Sequence, residues 1–450
     1  MRCVVGVDLG STTTKAVLLD TDGQVVGRGI TNSRSTYEVA CSVAREEALT
    51  AARFTLLARA LAGGSDTEDI ARVHAAFRLE LYLDELQDLR AEIHRSLRSL
   101  NYSADRARLT PAVTNVLDGM VSEAPSLFRQ DGVRRSDFFR DLAGQGFMAG
   151  AERASADGAA PFERLVGLFD RAILDVETTL KPRPTEALLR RAGERVQGER
   201  AFEHASDARR VADAITAAIE APIEELAFVG TGYGRQTLPF PREAVRSEIL
   251  CHGRGAHRVF PGTRTVLDIG GQDTKAIQVD AHGVVTSFQM NDRCAAGCGR
   301  YLGYIADELN LGLHELGPLA LQARRAVKVN STCTVFAGAE LRERLALGER
   351  REDILAGLHR SIMLRAMSLL ARSGGVTSEF TFTGGVCKNP MATRVLRELV
   401  AENYSASVVI NTHPDSIFMG ALGAALFGLD DVQRGVPQLL PTFVQPAARA

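Results

Sequence analysis

The chain has almost no net charge, few cysteines and no uninterrupted apolar run long enough to cross a bilayer. Lys and Arg total 53 against 55 Asp and Glu, a formal net charge of −2. That balance gives no electrostatic footprint for nucleic acid or for an anionic membrane surface, and neither partner is expected. Seven cysteines are an odd count, and with no export signal they argue against a disulfide framework; metal or redox chemistry is the better reading for any in unusual contexts. The N-terminal MRCVVGVDLG enters an apolar strand at once, so no signal peptide and a soluble cytoplasmic protein are expected. With 450 residues, 45% hydrophobic and 24% charged, the chain is long enough for roughly two to three globular domains.

What is present is a repeat. VDLGSTTTKAVLLDTDGQVV at 7–26 returns without a gap as LDIGGQDTKAIQVDAHGVVT at 267–286. Asp8 falls on Asp268, Gly10 on Gly270, Thr14 on Thr274, Lys15 on Lys275, Asp20 on Asp280 and Gly23 on Gly283. Each copy reads as an apolar strand, a small polar loop, a second strand with alternating faces and an Asp-x-x-Gly turn. Two such hairpins predict related half-domains facing each other across a cleft. The Asp-x-Gly loops can bring backbone N–H groups and hydroxyls to phosphate oxygens, because glycine lets the main chain approach closely. An Asp at the end of each first strand is placed to hold magnesium through water. The pair therefore predicts ATP binding and hydrolysis between the halves.

The expected organisation is a first half-domain at 1–44 plus 206–261, a charged helical insertion at 45–205, and a second half-domain at 262–412. A C-terminal helix and tail at 413–450 complete it, the helix returning to the first half with Gly420 and Gly423 on its close-packing face. The Gly-rich loop after AFV, near 230, lies where open α/β sheets contact ligands.

Cys3, Cys41 and Cys251 read as small core residues; Cys251 with His252 and His257 fits no common metal spacing. Cys294 in NDRCAAGCGRYLGYIADEL and Cys333 in NSTCTVFAGAELRERL stand differently, each after capping residues and before a helical pattern. A thiolate at a helix N-terminus is favoured by the dipole and the free N–H groups. Two cysteines cannot complete a four-iron cluster, but two from each side of a dimer axis would. Buried thiols, or one nucleophile, are the alternatives. Cys298 lies one turn beyond Cys294, as a third ligand or a packing residue.

Taken together, the hairpins and FTGGVCKNP at 382–390 resemble the phosphate and adenosine loops of the acetate and sugar kinase, heat-shock chaperone and actin superfamily. Within it, GSTTTK, IGGQDTK, NDRCAAGCGRYL, STCTVFA and FTGGVCKNP resemble the BadF/BadG/BcrA/BcrD ATPases. These comprise the activators of 2-hydroxyacyl-CoA dehydratases and the ATPase subunits of benzoyl-CoA reductase. The length, the insertion, CAAGCGRYLGYIADEL and HPDSIFMGALGAALFG are similar to the larger reductase ATPase subunit.

The resemblance implies a two-lobed α/β actin-like ATPase fold of duplicated ribonuclease-H-like halves, with a helical insertion in the first lobe. It implies that Asp8 and Asp268 hold the Mg2+ shell, that Gly10, Ser11, Thr12, Thr13 and Lys15 contact the phosphates of ATP, and that Gly270, Gly271, Gln272 and Asp273 form the opposing loop. Gln272 would orient the attacking water, and Gly384, Gly385, Lys388 and Asn389 would line the adenosine site. Cys294 and Cys333 would ligate a 4Fe-4S cluster shared with a smaller sister ATPase subunit. Reduced ferredoxin would supply the electron and the catalytic iron–sulfur subunits of the reductase would receive it. The rival expectations are a homodimeric dehydratase activator, a small-molecule kinase with structural cysteines, and a chaperone-like switch, which would need a peptide-binding domain. No carboxylate base in a substrate pocket is evident.

Overall fold

The computed structural model of the protein describes residues 1–33, 36–61, 66–129, 138–179, 184–198, 205–236, 242–291, 298–325, 327–329, 334–438 and 440. The chain opens with β1 (Arg2–Leu9), β2 (Thr13–Asp20) and β3 (Val25–Asn32). Helices α1 (Tyr37–Leu61), α2 (Asp66–Leu97), α3 (Arg106–Leu127), α4 (Phe139–Ala156), α5 (Phe162–Thr178), α6 (Thr185–Gly198) and α7 (Ala205–Glu220) follow. Next come β4 (Glu224–Thr231), α8 (Glu248–Val259), β5 (Thr265–Ile269), β6 (Thr274–Val279) and β7 (Val285–Asn291). The chain continues through α9 (Gly299–Leu309), α10 (Leu313–Ala320), α11 (Thr334–Ala346), α12 (Arg351–Ser373), β8 (Phe380–Thr383), α13 (Pro390–Asn403), β9 (Ile410–Asn411) and α14 (Met419–Gln433).

The sequence repeat is a structural repeat. One sheet has the order β3-β2-β1-β4 and the other β7-β6-β5-β8-β9. In both, the first strand pairs antiparallel with the second and parallel with a later strand on its other side. Asp8 pairs across its hairpin with Lys15, and Asp268 with Lys275. The register slips at the same place in each copy, between Leu18 and Leu19 and between Gln278 and Val279. The turns match too: Asp20 accepts from the N–H groups of Asp22 and Gln24, and Asp280 from those of His282 and Val284. Gly23 and Gly283 close them at φ of 74° and 76°, a conformation that disfavours side chains.

Both sheets are covered on two faces, so β1 and β5 are buried along their lengths rather than alternating. Helix α1 packs on one face of the first sheet through Ala44, Ala48 and Ala52 against Val5 and Val7. Helix α14 covers the other face, where a methyl on Gly6 would lie 2.2 Å from the Ala421 carbonyl oxygen. Helix α8 packs on the second sheet through Ile249 and Ala256 against Val266 and Ile277, and α9, α12 and α13 cover its far side. Helices α8 and α14 meet back to back, so the order through the protein is α1, sheet, α14, α8, sheet, α12. Helix α12 is long and apolar enough to cross a membrane by composition, but 72% of that window is buried in this core.

Between β3 and β4 the helices form two further apolar cores. Helices α1, α2, α6 and α7 share one, around Leu57, Phe77, Leu189 and Ile215. The distal part of α2 with α3, α4 and α5 encloses the other, around Leu89, Val113, Phe147 and Phe169. The expected boundary at 44/45 falls inside α1, which begins at Tyr37 and lies along β3.

Candidate functional site

The C-terminal ends of β1 and β5 carry Asp8 and Asp268, each 2% exposed. A carboxylate this deep needs partners, because burial disfavours its charged form. Asp268 has several: Thr383 donates to its Oδ1 at 2.9 Å, Lys275 Nζ lies 3.4 Å from Oδ2, and His252 Nδ1 lies 3.2 Å from Oδ1. Burial alone would raise its pKa, but the facing His252 and Lys275 charges and these hydrogen bonds hold it well below the carboxylate range. Asp8 has Lys15 Nζ at 3.5 Å, while its Oδ1 is buried without a hydrogen-bond partner.

Lys275 is the charge centre of the second lobe. It is 1% exposed, with Nζ 2.7 Å from Asp273 Oδ1 and 2.9 Å from Glu248 Oε1. Desolvation works against the ammonium, yet the three carboxylates override it and hold its pKa well above the usual value. Asp273, unlike Asp268, is raised: desolvation outweighs the Lys275 contact.

The predicted loops meet at the mouth of this cluster. Gly10, Ser11 and Thr12 turn between β1 and β2, with Thr13 opening β2, and Gly270, Gly271, Gln272 and Asp273 turn between β5 and β6. A methyl on Gly271 would fall 2.1 Å from Thr12 Oγ1, so the two loops touch across the cleft. Gly232 and Gly384, at φ of 88° and 86°, let the ends of β4 and β8 lie against the Asp8 carboxylate and the Ile269 carbonyl respectively. Gly385 opens onto free space and Lys388 is exposed.

Asn389, directly after the Gly385–Lys388 turn, has its side chain held by hydrogen bonds within the protein. Its Oδ1 caps α13, accepting from Met391 and Ala392 N–H at 3.0 and 3.1 Å, and its amide donates to His359 Nε2 at 3.0 Å. His359 in turn donates from Nδ1 to the Leu355 carbonyl at 2.7 Å, and burial lowers its pKa. The Asn389 side chain is thus engaged inside the second lobe. Cys294 and Cys333 lie outside the described residues. Cys298 is buried at the N-cap of α9. Cys3, Cys41 and Cys251 are buried thiols, and burial pushes Cys3 and Cys251 up to about 12.

Sequence reasoning missed Glu248 and weighed His252 only beside Cys251 and His257. Glu248 and His252 stand four apart on α8, hence on one face, and with Asp8 they present ligand atoms within 4.8 Å of one another. His252 does not join Cys251 and His257: Cys251 packs with Val229 and Ala424, and His257 Nε2 lies 3.2 Å from the Ala281 carbonyl.

One connection leaves the cleft. The N–H groups of Gly299 and Arg300, which open α9, donate to the carbonyls of Gly270 and Gly271 at 2.8 and 2.7 Å. The second loop is therefore joined by its backbone to the helix that follows the Cys294 segment. With two ammonium groups, buried carboxylates on both sides, an unpartnered Asp8 oxygen and glycines at four strand ends, the cleft suits a polyphosphate carrying a divalent cation.

The model of the BadF/BadG/BcrA/BcrD ATPase family matches residues 5–428. The (R)-2-hydroxyglutaryl-CoA dehydratase activating ATPase of Acidaminococcus fermentans is 42% identical over 205 residues, which are 45% of this chain and 76% of that protein. A benzoyl-CoA reductase subunit of Thauera aromatica is 37% identical over 177 residues, 39% of this chain and 62% of that one. Among solved structures, component A of the Acidaminococcus fermentans dehydratase superposes with a TM-score of 0.54 at 21% identity, covering 96% of this chain and all of the other. That likeness is one of fold: two α/β lobes of the actin-like ATPase kind.

Proposed function

The chain belongs to the BadF/BadG/BcrA/BcrD ATPase family, and from that premise we propose that it is an electron-activating ATPase, the larger ATPase subunit of a benzoyl-CoA reductase-type complex. ATP with Mg2+ occupies the cleft. Gly10, Ser11, Thr12, Thr13 and Lys15 face the phosphates from the first lobe, and Gly270, Gly271, Gln272 and Asp273 from the second. Asp8 and Asp268 hold the Mg2+ shell, Gln272 orients the attacking water, and Gly384 and Gly385 leave room for the adenosine. A 4Fe-4S cluster held by Cys294 and Cys333 together with a smaller sister subunit would supply one-electron storage at low potential. Reduced ferredoxin is the donor and the catalytic reductase subunits, in the cytoplasm, are the acceptor.

The observation that carries this reading is the hydrogen-bonded link from Gly270 and Gly271 to Gly299 and Arg300. Through this link a shift of the second loop on nucleotide chemistry would be passed to the start of α9, the helix that follows the Cys294 segment in sequence. The two helical cores between β3 and β4 are the insertion on which the reductase reading rests; neither the 205-residue match to a dehydratase activator nor the 177-residue match to a reductase subunit covers half of the chain.

A second reading, a homodimeric activator of a 2-hydroxyacyl-CoA dehydratase, is favoured by the 42% identity to such an activator. Iron content and low-temperature EPR on anoxically purified protein, alone and with the sister subunit, separate the two. One four-iron cluster per heterodimer, lost in Cys294→Ala or Cys333→Ala, is expected. About two irons per chain in this protein alone would transfer it to the activators. Iron-free protein that still hydrolyses ATP in both preparations would overturn the redox reading.

A further inference from the structure

We propose that His252 is a positioning residue that sets the two cleft aspartates relative to each other, a role that rests on the ATPase reading above. His252 is on the second turn of α8, the helix through which the chain passes from the first sheet to the second. It is 5% exposed, and its two ring nitrogens face carboxylates of opposite lobes. Nδ1 is 3.2 Å from Asp268 Oδ1 and Nε2 is 4.0 Å from Asp8 Oδ2. Among the described ion pairs, no other side chain reaches both aspartates.

The surroundings fix the ring in place. A methyl on Gly420 of α14 would lie 2.8 Å from His252 Nε2 and 2.9 Å from Asp8 Oδ2, so the α14 backbone closes that side and leaves no room for sideways movement. Thr383 and Lys275 hold Asp268 from the other directions, and Glu248, one turn before His252 on the same face, holds Lys275. Neither contact of the ring is yet a finished hydrogen bond. Nδ1 lies near Asp268 but is not aligned with it, and both Nδ1 and Asp8 Oδ1 lack hydrogen-bond partners. His252 is thus a spacer between two like charges: it determines how far apart Asp8 and Asp268 stand, and therefore whether both can serve one cation shell. The imidazole touches neither nucleotide nor water in this scheme.

The test uses the full chain with its sister subunit and the variants H252A, H252N and H252Q. Asparagine can place an amide where Nδ1 faces Asp268, and glutamine one where Nε2 faces Asp8. For H252A we expect kcat for ATP hydrolysis to fall about tenfold to a hundredfold while KM stays within about threefold, since a misplacement near 1 Å costs about that much. H252N or H252Q should recover part of kcat; which one does identifies the dominant contact. Unchanged kcat in H252A overturns the proposal, as does a loss of nucleotide affinity parallel to the loss of kcat. Failure of both amide variants to recover any activity while they bind nucleotide normally also overturns it. If H252A does not fold, the polar, nearly isosteric pair carries the comparison alone. Wild-type protein without ATPase activity would overturn the parent reading and this inference with it, whereas an active wild type matched by H252A overturns this inference only.

Discussion

Replacing Lys275 with methionine keeps an unbranched apolar stem and deletes the terminal ammonium at a position 1% exposed. Asp268, Asp273 and Glu248, with oxygens at 3.4, 2.7 and 2.9 Å from Nζ, would then share a buried pocket without their ammonium. Breaking a buried ion pair by removing one partner costs about 3–5 kcal/mol, because the remaining charge is desolvated and unpaired. For a cooperative unit the size of the second lobe this corresponds to a fall of roughly 6–20 °C in Tm. The chain has 0 Trp, so circular dichroism during urea unfolding is the practical assay. The pH dependence identifies the cause. In the wild type the depressed Asp268 pKa contributes stability that is present above its ordinary value of 3.8 and lost as pH falls through and below it. In K275M the carboxylates no longer face the ammonium, so they take up protons at higher pH and the pocket relaxes earlier. The deficit relative to wild type should therefore shrink on acidification from pH 7 to pH 4, by about 1.4 kcal/mol per pH unit for each carboxylate that gains a proton. A loss below about 1 kcal/mol, or a deficit constant over that range, would refute the electrostatic argument.

Asp8→Ala and Lys15→Ala should abolish ATP turnover and leave iron content intact; near-normal ATPase in either would remove the phosphate assignment. A methyl at Gly423 would lie 1.9 Å from the Cys251 carbonyl oxygen, a backbone atom that cannot swing aside. Gly423→Ala should accordingly lower stability by about 1–3 kcal/mol in urea unfolding, and a variant as stable as wild type would mean that the α8–α14 crossing is looser than this contact requires. Asn389→Ala removes the α13 cap and the His359 contact, at a cost of about 1–2 kcal/mol; KM for ATP should not change, and a raised KM at full stability would return Asn389 to the adenosine site. Replacing the distal helical core, Leu79–Val176, with a short linker should spare ATP hydrolysis and weaken docking to the catalytic subunits, measured as ring reduction in the reconstituted complex. Full ring reduction would give that core another purpose.

The legibility of this protein followed how local each signal is. The two hairpins could be read because one strand, one loop and one turn recur in a single stretch of chain, and the structure repeats even the register slip after Leu18 and Gln278. Lys15 and Lys275 were visible in the same repeat, although nothing local distinguishes the one that is 1% exposed beside three carboxylates from the one that pairs with Asp8. Asn389 shows the opposite case. Its place after a Gly loop suggests ligand contact, yet an Asn immediately before Pro390 is also a helix cap, and the cap has the hydrogen bonds.

Glu248 was missed, and His252 was weighed only beside Cys251 and His257, because neither has a repeated counterpart and four-residue spacing on a helix is ordinary. Their neighbours carried the usable signal. Gly255, three residues after His252, and Gly420 and Gly423 on the last helix mark two helices that approach closely, and a polar side chain on such a crossing is shut off from solvent. It must find a buried charge. When the ends of the two central strands each supply an aspartate, the side chain at that crossing meets both. A polar residue flanked by small ones on a connecting helix is therefore worth testing against the strand-end carboxylates of a duplicated fold, even though no local motif announces it.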